Sequence, residues 1–324
     1  MKSTEDGKTL LLLKPRGFCA GVVRAIDIVR IALEAFGPPI YVRKEIVHNR
    51  YVVEELQAKG AVFVDSVEEV PKGERVIYSA HGVSPEVREA SERRRLRVID
   101  ATCPLVTKVH VEAVRFAKDN FSIILIGHRD HDEVIGTLGE APAVTQVISS
   151  PEEVGQLTVP DPERVAYTTQ TTLSLEETKD VIAALRKRFP SIHGPAAQDI
   201  CYATENRQVA VKQVAGGADL LLVVGSDNSS NSNRLVEVAR KQGTSAYLIE
   251  NYRSIRPEWL EGIGTVALTA GASAPECLVQ EAVSFLTQSG FTNLQEVEVM
   301  PENVRFGLPP EIVETISPVT TAAE

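Results

Sequence analysis

The chain has 324 residues, 43% hydrophobic and 24% charged, the make-up of an ordinary globular protein able to bury two or three cores. Its 34 basic against 44 acidic residues leave a net charge of −10, which argues against nucleic-acid or anionic-membrane binding as its general function. No apolar run approaches the roughly 20 residues of a membrane span, and the opening MKSTEDGK lacks a signal-peptide layout. A cytoplasmic protein is expected, with its four cysteines reduced rather than paired.

Taken in chain order, the pattern predicts a first block of strand 10–14, helix 25–36, strand 39–42, helix 49–60, strands 61–65 and 75–80, and a helix from Ser84. A second block runs through strand 97–101, a helix from Thr107, strand 122–127, a helix near Asp132, strands 145–149 and 164–169, and a helix from Ser174. A third has strand 198–203, helix 206–215, strand 218–225, helix 232–243, strands 245–250 and 264–270, and helix 274–289. Short strands with little polar alternation, separated by amphipathic helices, indicate mainly parallel sheets covered on both faces. The expected fold is α/β, with three similar domains at 9–102, 103–198 and 199–306 in a pseudo-threefold arrangement, and a mobile tail at 307–324.

Spacing supports the repeat. Cys19, Cys103 and Cys201 precede a polar cluster on the next strand end by 29 (His48), 28 (His131) and 28 (Ser229) residues. The distances to the fourth strand end are 62 (His81), 68 (Thr171) and 72 (Ser273). Ligands of parallel α/β units collect beyond the carboxyl ends of strands. The unusual polar clusters, among them RGFCAG, SAHGVS, GHRDHDE, TTQTTLS and GSDNSSNSN, all occupy such predicted places. A shared central pocket lined by thiols, imidazoles, hydroxyls and amides follows.

A lone cysteine is usually a small buried hydrophobe. Cys277 fits that description, inside an amphipathic helix beside Leu278 and Val279. Cys19, Cys103 and Cys201 instead recur at equivalent strand-to-helix junctions, which points to a shared metal or cluster site. Three thiolates suit zinc or an iron–sulfur centre, and without a C-x-x-C pair or a ferredoxin spacing both remain open. His48, His81 and His131 sit where imidazoles and helix-start N–H groups can meet an anion. His110 and His193 read as structural or solvent-exposed. Serines and asparagines over 226–233 exceed what one helix cap requires. Glu133, in HRDHDE, is either a favourable first-turn acid or a proton donor facing the pocket, with Thr171 extending the relay.

Nine segments carry a resemblance: PRGFCAGVVRAI, YVRKEIVHNRYVV, SAHGVS, DATCPLVTKVH, IGHRDHDEVIGTLG, TQTTLS, DICYATENRQ, VGSDNSSNSNRL and TAGASAP. In order and from about residue 10 to about residue 306, they resemble the signature segments of the 4-hydroxy-3-methylbut-2-enyl diphosphate reductase family of isoprenoid biosynthesis. The resemblance implies a 4Fe-4S cluster held by Cys19, Cys103 and Cys201, with one iron free of protein thiolate. It implies diphosphate binding by His48, His81, Ser229, Ser230, Asn231 and Ser273, with His131 lining the pocket. It further implies a proton donor at Glu133 and substrate contact at Thr171. The reaction implied is removal of an allylic hydroxyl, with electrons passed singly through the cluster, to give isopentenyl and dimethylallyl diphosphate. Ferredoxin or flavodoxin is the implied donor, consistent with the lack of a G-x-G-x-x-G after a strand. The chain departs from the family pattern at Asp132, where proline is common. The bare residues also fit a zinc enzyme acting on a phosphorylated metabolite, or a cluster-bearing regulatory protein.

Overall fold

Apolar runs become strands here because both sheet faces are covered: all five residues of LLLVV at 220–224 are buried. The computed structural model describes residues 8–316. In chain order its principal elements are β1 (Thr9–Lys14), α1 (Ala20–Phe36), β2 (Ile40–Arg43), α2 (Arg50–Ala58), β3 (Ala61–Val64), β4 (Arg75–Tyr78), α3 (Pro85–Arg93), β5 (Arg97–Asp100), α4 (Pro104–Lys118), β6 (Ser122–Ile126) and α5 (Asp132–Glu140). There follow β7 (Thr145–Ile148), β8 (Val165–Thr169), α6 (Leu175–Arg188), α7 (Tyr202–Ala215), β9 (Leu220–Val224), α8 (Ser230–Lys241), β10 (Ser245–Ile249), β11 (Thr265–Ala270), α9 (Glu276–Gln288), β12 (Asn293–Glu298) and α10 (Pro310–Ile316). Every pairing between these strands is parallel.

Two compact units divide the chain. One comprises the chain up to Cys19, Thr171–Asp180 and Ile200–Val304. It holds a five-stranded sheet of order β10-β9-β11-β1-β12. Alternation along β9 sends Leu220, Leu222 and Val224 into a core with Leu268, Val279 and Phe291. Leu221 and Val223 pack on the other face against Val211 and Leu235 of α7 and α8. Each such buried side chain contributes about 1.5–3 kcal/mol. The second unit comprises Ala20–Gln170, Val181–Asp199 and the chain from Arg305. It holds two sheets, of order β3-β2-β4-β5 and β7-β6-β8.

The α/β class with parallel sheets is as expected, and three sheets are present. Strand membership differs from the expected blocks. β1, read as opening the first block, pairs with β11 and β12. β5, read as opening the second, pairs with β4. The segment 198–203 forms no strand; the chain bends there and α7 begins at Tyr202. Each cysteine-bearing segment was thus grouped with the elements that follow it, whereas hydrogen bonding commits β1 and β5 to strands of the neighbouring block. Strand β12, mostly exposed, carried too weak an apolar signal to be expected.

The tail was expected to be mobile from residue 307. It contains α10, which packs against α1 with Ile312 fully buried, and Arg24 Nε donates to the Gly307 carbonyl at 2.7 Å. Residues 317–324 of that expectation lie outside the described residues. Cys277, expected in the core, is exposed: the buried stripe of α9 is Leu278, Val279, Ala282, Val283 and Leu286, and position 277 falls just off it.

Candidate functional site

In the first unit, Cys19 follows β1, and its N–H donates to the Ala272 carbonyl at 3.0 Å. Cys201 caps the N-terminus of α7, and its N–H donates to the Thr171 carbonyl at 3.0 Å. The Cys201 sulfur accepts the Thr204 N–H at 3.4 Å and lies 3.1 Å from Thr204 Oγ1. Burial pushes the Cys201 thiol up to about 11, and the neighbouring Cys19 adds to this, against the Thr204 hydrogen bonds and the Arg207 charge. Two partly buried thiols near one another, one already aligned as a hydrogen-bond acceptor, form a donor set that suits a soft metal centre, which compensates the thiolate charge.

Asn231 joins the two cysteine segments. Its Oδ1 accepts the Ala272 N–H at 2.9 Å, and its Nδ2 donates to Thr204 Oγ1 at 3.2 Å. Only one Nδ2 hydrogen therefore remains for a ligand. Ser229 caps α8, accepting the Ser232 N–H at 3.3 Å and the Ser232 hydroxyl at 3.0 Å, and lies 3.5 Å from Ser273 Oγ. The Ser230 hydroxyl donates to the Thr172 carbonyl at 3.3 Å. Thr171 is buried, 5% exposed. The unit thus brings together Cys19, Cys201, Thr171, Ser229, Ser230, Asn231 and Ser273, through capping and through contact with a ligand-ready turn. That turn needs glycine at 271, where a Cβ would sit 2.0 Å from Ser232 Oγ and 3.0 Å from its Cβ. Gly271→Ala is expected to cost about 1–3 kcal/mol by overpacking, read from urea unfolding midpoints; an unchanged midpoint would show that Ser232 rotates away freely.

In the second unit, Cys103 follows β5 and precedes Pro104, the first residue of α4, with its N–H on the Ala80 carbonyl at 3.0 Å. The strand ends beyond β2, β4 and β6 carry His48, His81 and His131, whose rings cluster. His48 and His81 stack at 4.0 Å between centroids, and His131 meets them edge-on at 5.3 and 5.8 Å. His48 Nδ1 lies 3.3 Å from Glu45 Oε2. His131 caps α5, its Nδ1 accepting the Glu133 N–H at 3.2 Å. That acceptor role places the proton of the neutral ring on Nε2, leaving an N–H donor for an anion. Burial, then the charges of His48 and His128, lower His131 from 6.5 to about 3. Burial, then His48 and His131, hold His81 well below its ordinary value.

Glu133 occupies the first turn of α5 yet is only 2% exposed, so it is more than a solvent-facing favourable acid. Asp132 precedes it. His48, His81 and Asp132 present ligand atoms within 4.8 Å of one another, a donor set that a divalent cation also fits. His110 is buried, with Nδ1 2.8 Å from Glu140 Oε1, and a Cβ at Gly82, whose φ is +81°, would lie 3.2 Å from its ring. It therefore supports the turn that carries His81. His193 is exposed.

Thr204 and Arg207 were not singled out by sequence. Thr204 had a legible signal, three residues after a helix-capping cysteine; Arg207 had none, since an arginine in a helix ordinarily faces water.

Parallel sheets that carry thiols, imidazoles and hydroxyls at their strand ends define an α/β protein whose donor groups, within each unit, suit a soft metal centre or an anionic ligand. The model of the LytB protein family matches residues 10–287, and the chain belongs to that family. It is similar to the 4-hydroxy-3-methylbut-2-enyl diphosphate reductase of Leifsonia xyli subsp. xyli, at 55% identity over 96% of this chain and 92% of that protein. That of Acidothermus cellulolyticus is 54% identical over 94% and 90%. The solved structure of the E-1-hydroxy-2-methyl-but-2-enyl-4-diphosphate reductase from Plasmodium falciparum superposes with a TM-score of 0.93 at 42% identity, covering 95% of this chain and 98% of that one.

Proposed function

We propose that the chain reduces 4-hydroxy-3-methylbut-2-enyl diphosphate to isopentenyl and dimethylallyl diphosphate. The observation that carries this reading is a cluster of three half-buried imidazoles, His81 and His131 of them held neutral, beside the buried Glu133, in a chain more than half identical to reductases of that name. Two electrons and two protons are consumed: the allylic C–O bond breaks, the hydroxyl leaves as water with one proton, and the other proton forms the new C–H bond. Cys19, Cys103 and Cys201 would hold a 4Fe-4S cluster. When bound, that group supplies one-electron transfer and a Lewis-acidic iron for the hydroxyl.

The protein's own residues then bind and orient. His48, His81 and His131, with Ser229, Ser273 and the remaining Asn231 N–H, donate to the diphosphate oxygens, joined by Ser230 when its hydroxyl turns from the Thr172 carbonyl. Glu133 delivers a proton, with Thr171 relaying between carboxyl and substrate hydroxyl. Burial of both excludes water that would compete for the position. Electrons come from a reduced carrier protein of the ferredoxin or flavodoxin class, in the cytoplasm. Among the described residues, no helix is long and apolar enough to cross a membrane.

The test is anaerobic, cluster-loaded protein with dithionite and a viologen mediator: consumption of the hydroxylated diphosphate is expected, and its failure would overturn the reading. Iron, sulfide and zinc analysis of the same sample separates the cluster from a zinc centre, and from a divalent cation at His48, His81 and Asp132. Ligand binding at pH 7 is also expected to take up protons, since a polyanion raises imidazole pKa values that the free site holds low. Calorimetry in two buffers of different ionisation enthalpy reads this; identical heats would show that His81 and His131 meet the ligand as neutral N–H donors.

A further inference from the structure

Arg207 is among the largest fully buried side chains of the protein, with 0% exposure. Burying a guanidinium costs several kcal/mol unless its donors are matched; here Nε has no partner, and the matches made by the two Nη atoms are specific. Nη2 donates to the Gly17 carbonyl at 2.8 Å, and Nη1 to the Ala203 carbonyl at 2.8 Å. Glu302 closes the other side of the fork, at 3.1 Å from Nη1 and 3.2 Å from Nη2. Gly17 lies two residues before Cys19, and Ala203 two residues after Cys201. One rigid planar group therefore spans the two cysteine-bearing segments, each at the same short sequence distance from its thiol. The second unit uses a similar device at the third cysteine: Arg24 Nη1 donates to the carbonyl of Thr102, the residue before Cys103, at 3.0 Å.

We propose that Arg207 is a positioning residue that sets the separation of the Cys19 and Cys201 segments and so the retention and reduction potential of the group they bind. This rests on the reading that both cysteines ligate the cluster. A lysine would keep the charge but presents one ammonium on a flexible stem, unable to hold two carbonyls and a carboxylate in one plane. An arginine serving only to cement the fold would affect the stability of the cluster-free protein and leave the cluster's properties unchanged.

The experiment compares full-length wild type, Arg207→Lys and Glu302→Gln after anaerobic reconstitution. Iron and sulfide per chain, Mössbauer spectra, the rate of cluster loss to a chelator, and the midpoint potential by EPR-monitored titration are measured, with the thermal midpoint of each cluster-free protein. Arg207→Lys is expected to lose its cluster at least about tenfold faster, as outer supports of metal sites commonly do when altered. Its one-electron equilibrium is expected to shift about tenfold, or about 59 mV. Glu302→Gln, which loosens the guanidinium while keeping an amide oxygen for Asn206 Nδ2 on α7, should shift both in the same direction by less. Wild-type lifetime and potential in Arg207→Lys would overturn the proposal, even if its thermal midpoint fell. If Arg207→Lys does not fold, Glu302→Gln decides: faster loss supports the proposal, and a wild-type rate overturns it. A wild type that binds no cluster would remove the reading beneath the proposal, and the proposal with it.

Discussion

Replacing Glu133 by glutamine is expected to lower turnover with a reduced donor by about 10²–10⁴-fold, the ordinary contribution of a positioned general acid. The substitution preserves shape and hydrogen bonding but removes the proton that can be given up. Glu133 is 2% exposed, and its N–H is tied to His131 Nδ1 at 3.2 Å, so the first turn of α5 holds the carboxyl in place. The loss should therefore fall on kcat with KM little changed, the mark of an interaction made in the transition state. The Mössbauer spectrum and thermal midpoint should match wild type. Wild-type kcat in Glu133→Gln would sink the assignment of Glu133 as proton donor.

Stability of the cluster-free protein is expected to fall steeply below pH 6.5 because of His131 and His81. His131 titrates near 6.5 when unperturbed and at about 3 in the folded chain. The unfolded state thus binds the proton more tightly, and folding stability decreases as pH falls through that window. At 1.36 kcal/mol per pKa unit, His131 alone removes about 3 kcal/mol by pH 4.5 and about 4 kcal/mol by pH 3, where the folded form is itself half protonated. His81 acts in the same direction, its folded value also being lowered. Against a typical total of about 5–15 kcal/mol, these losses are decisive. His131→Asn keeps a side-chain acceptor at the cap of α5 but cannot charge. It should lose about 3 kcal/mol less than wild type between pH 7 and 4.5, measured by urea unfolding; parallel losses in the two proteins would show that His131 is not the sensor.

The histidines were legible individually, since each followed a strand-like run and preceded a helical pattern. Their mutual burial was not, although it creates the pKa shifts. Lone-residue signals say nothing about whether three imidazoles will stack at 4.0 Å or meet edge-on. Asn231 shows the same limit. Its place in GSDNSSNSN marked it as a ligand donor, yet half of its hydrogen-bonding capacity goes to Ala272 and Thr204. Cys277 shows a finer one: a helical period finds the buried stripe of α9 but not which side of it a neighbouring thiol takes.

The amino-acid order alone was enough for the α/β class, for nearly every helix, and for the placement of the reactive residues at strand ends. These depend on local periodicity and on the junctions between short apolar runs and amphipathic segments. The sheet to which a strand belongs is a different kind of fact. β1 joins β11 and β12, more than 250 residues away, because backbone hydrogen bonds and two-sided burial reward that pairing over a nearer one. For the same reason Arg207, an unremarkable helical residue in the sequence, becomes a buried fork between Gly17 and Ala203. Long-range contacts set the burial of a charge, the pKa of an imidazole and the partners of an amide, and a one-dimensional pattern does not contain them.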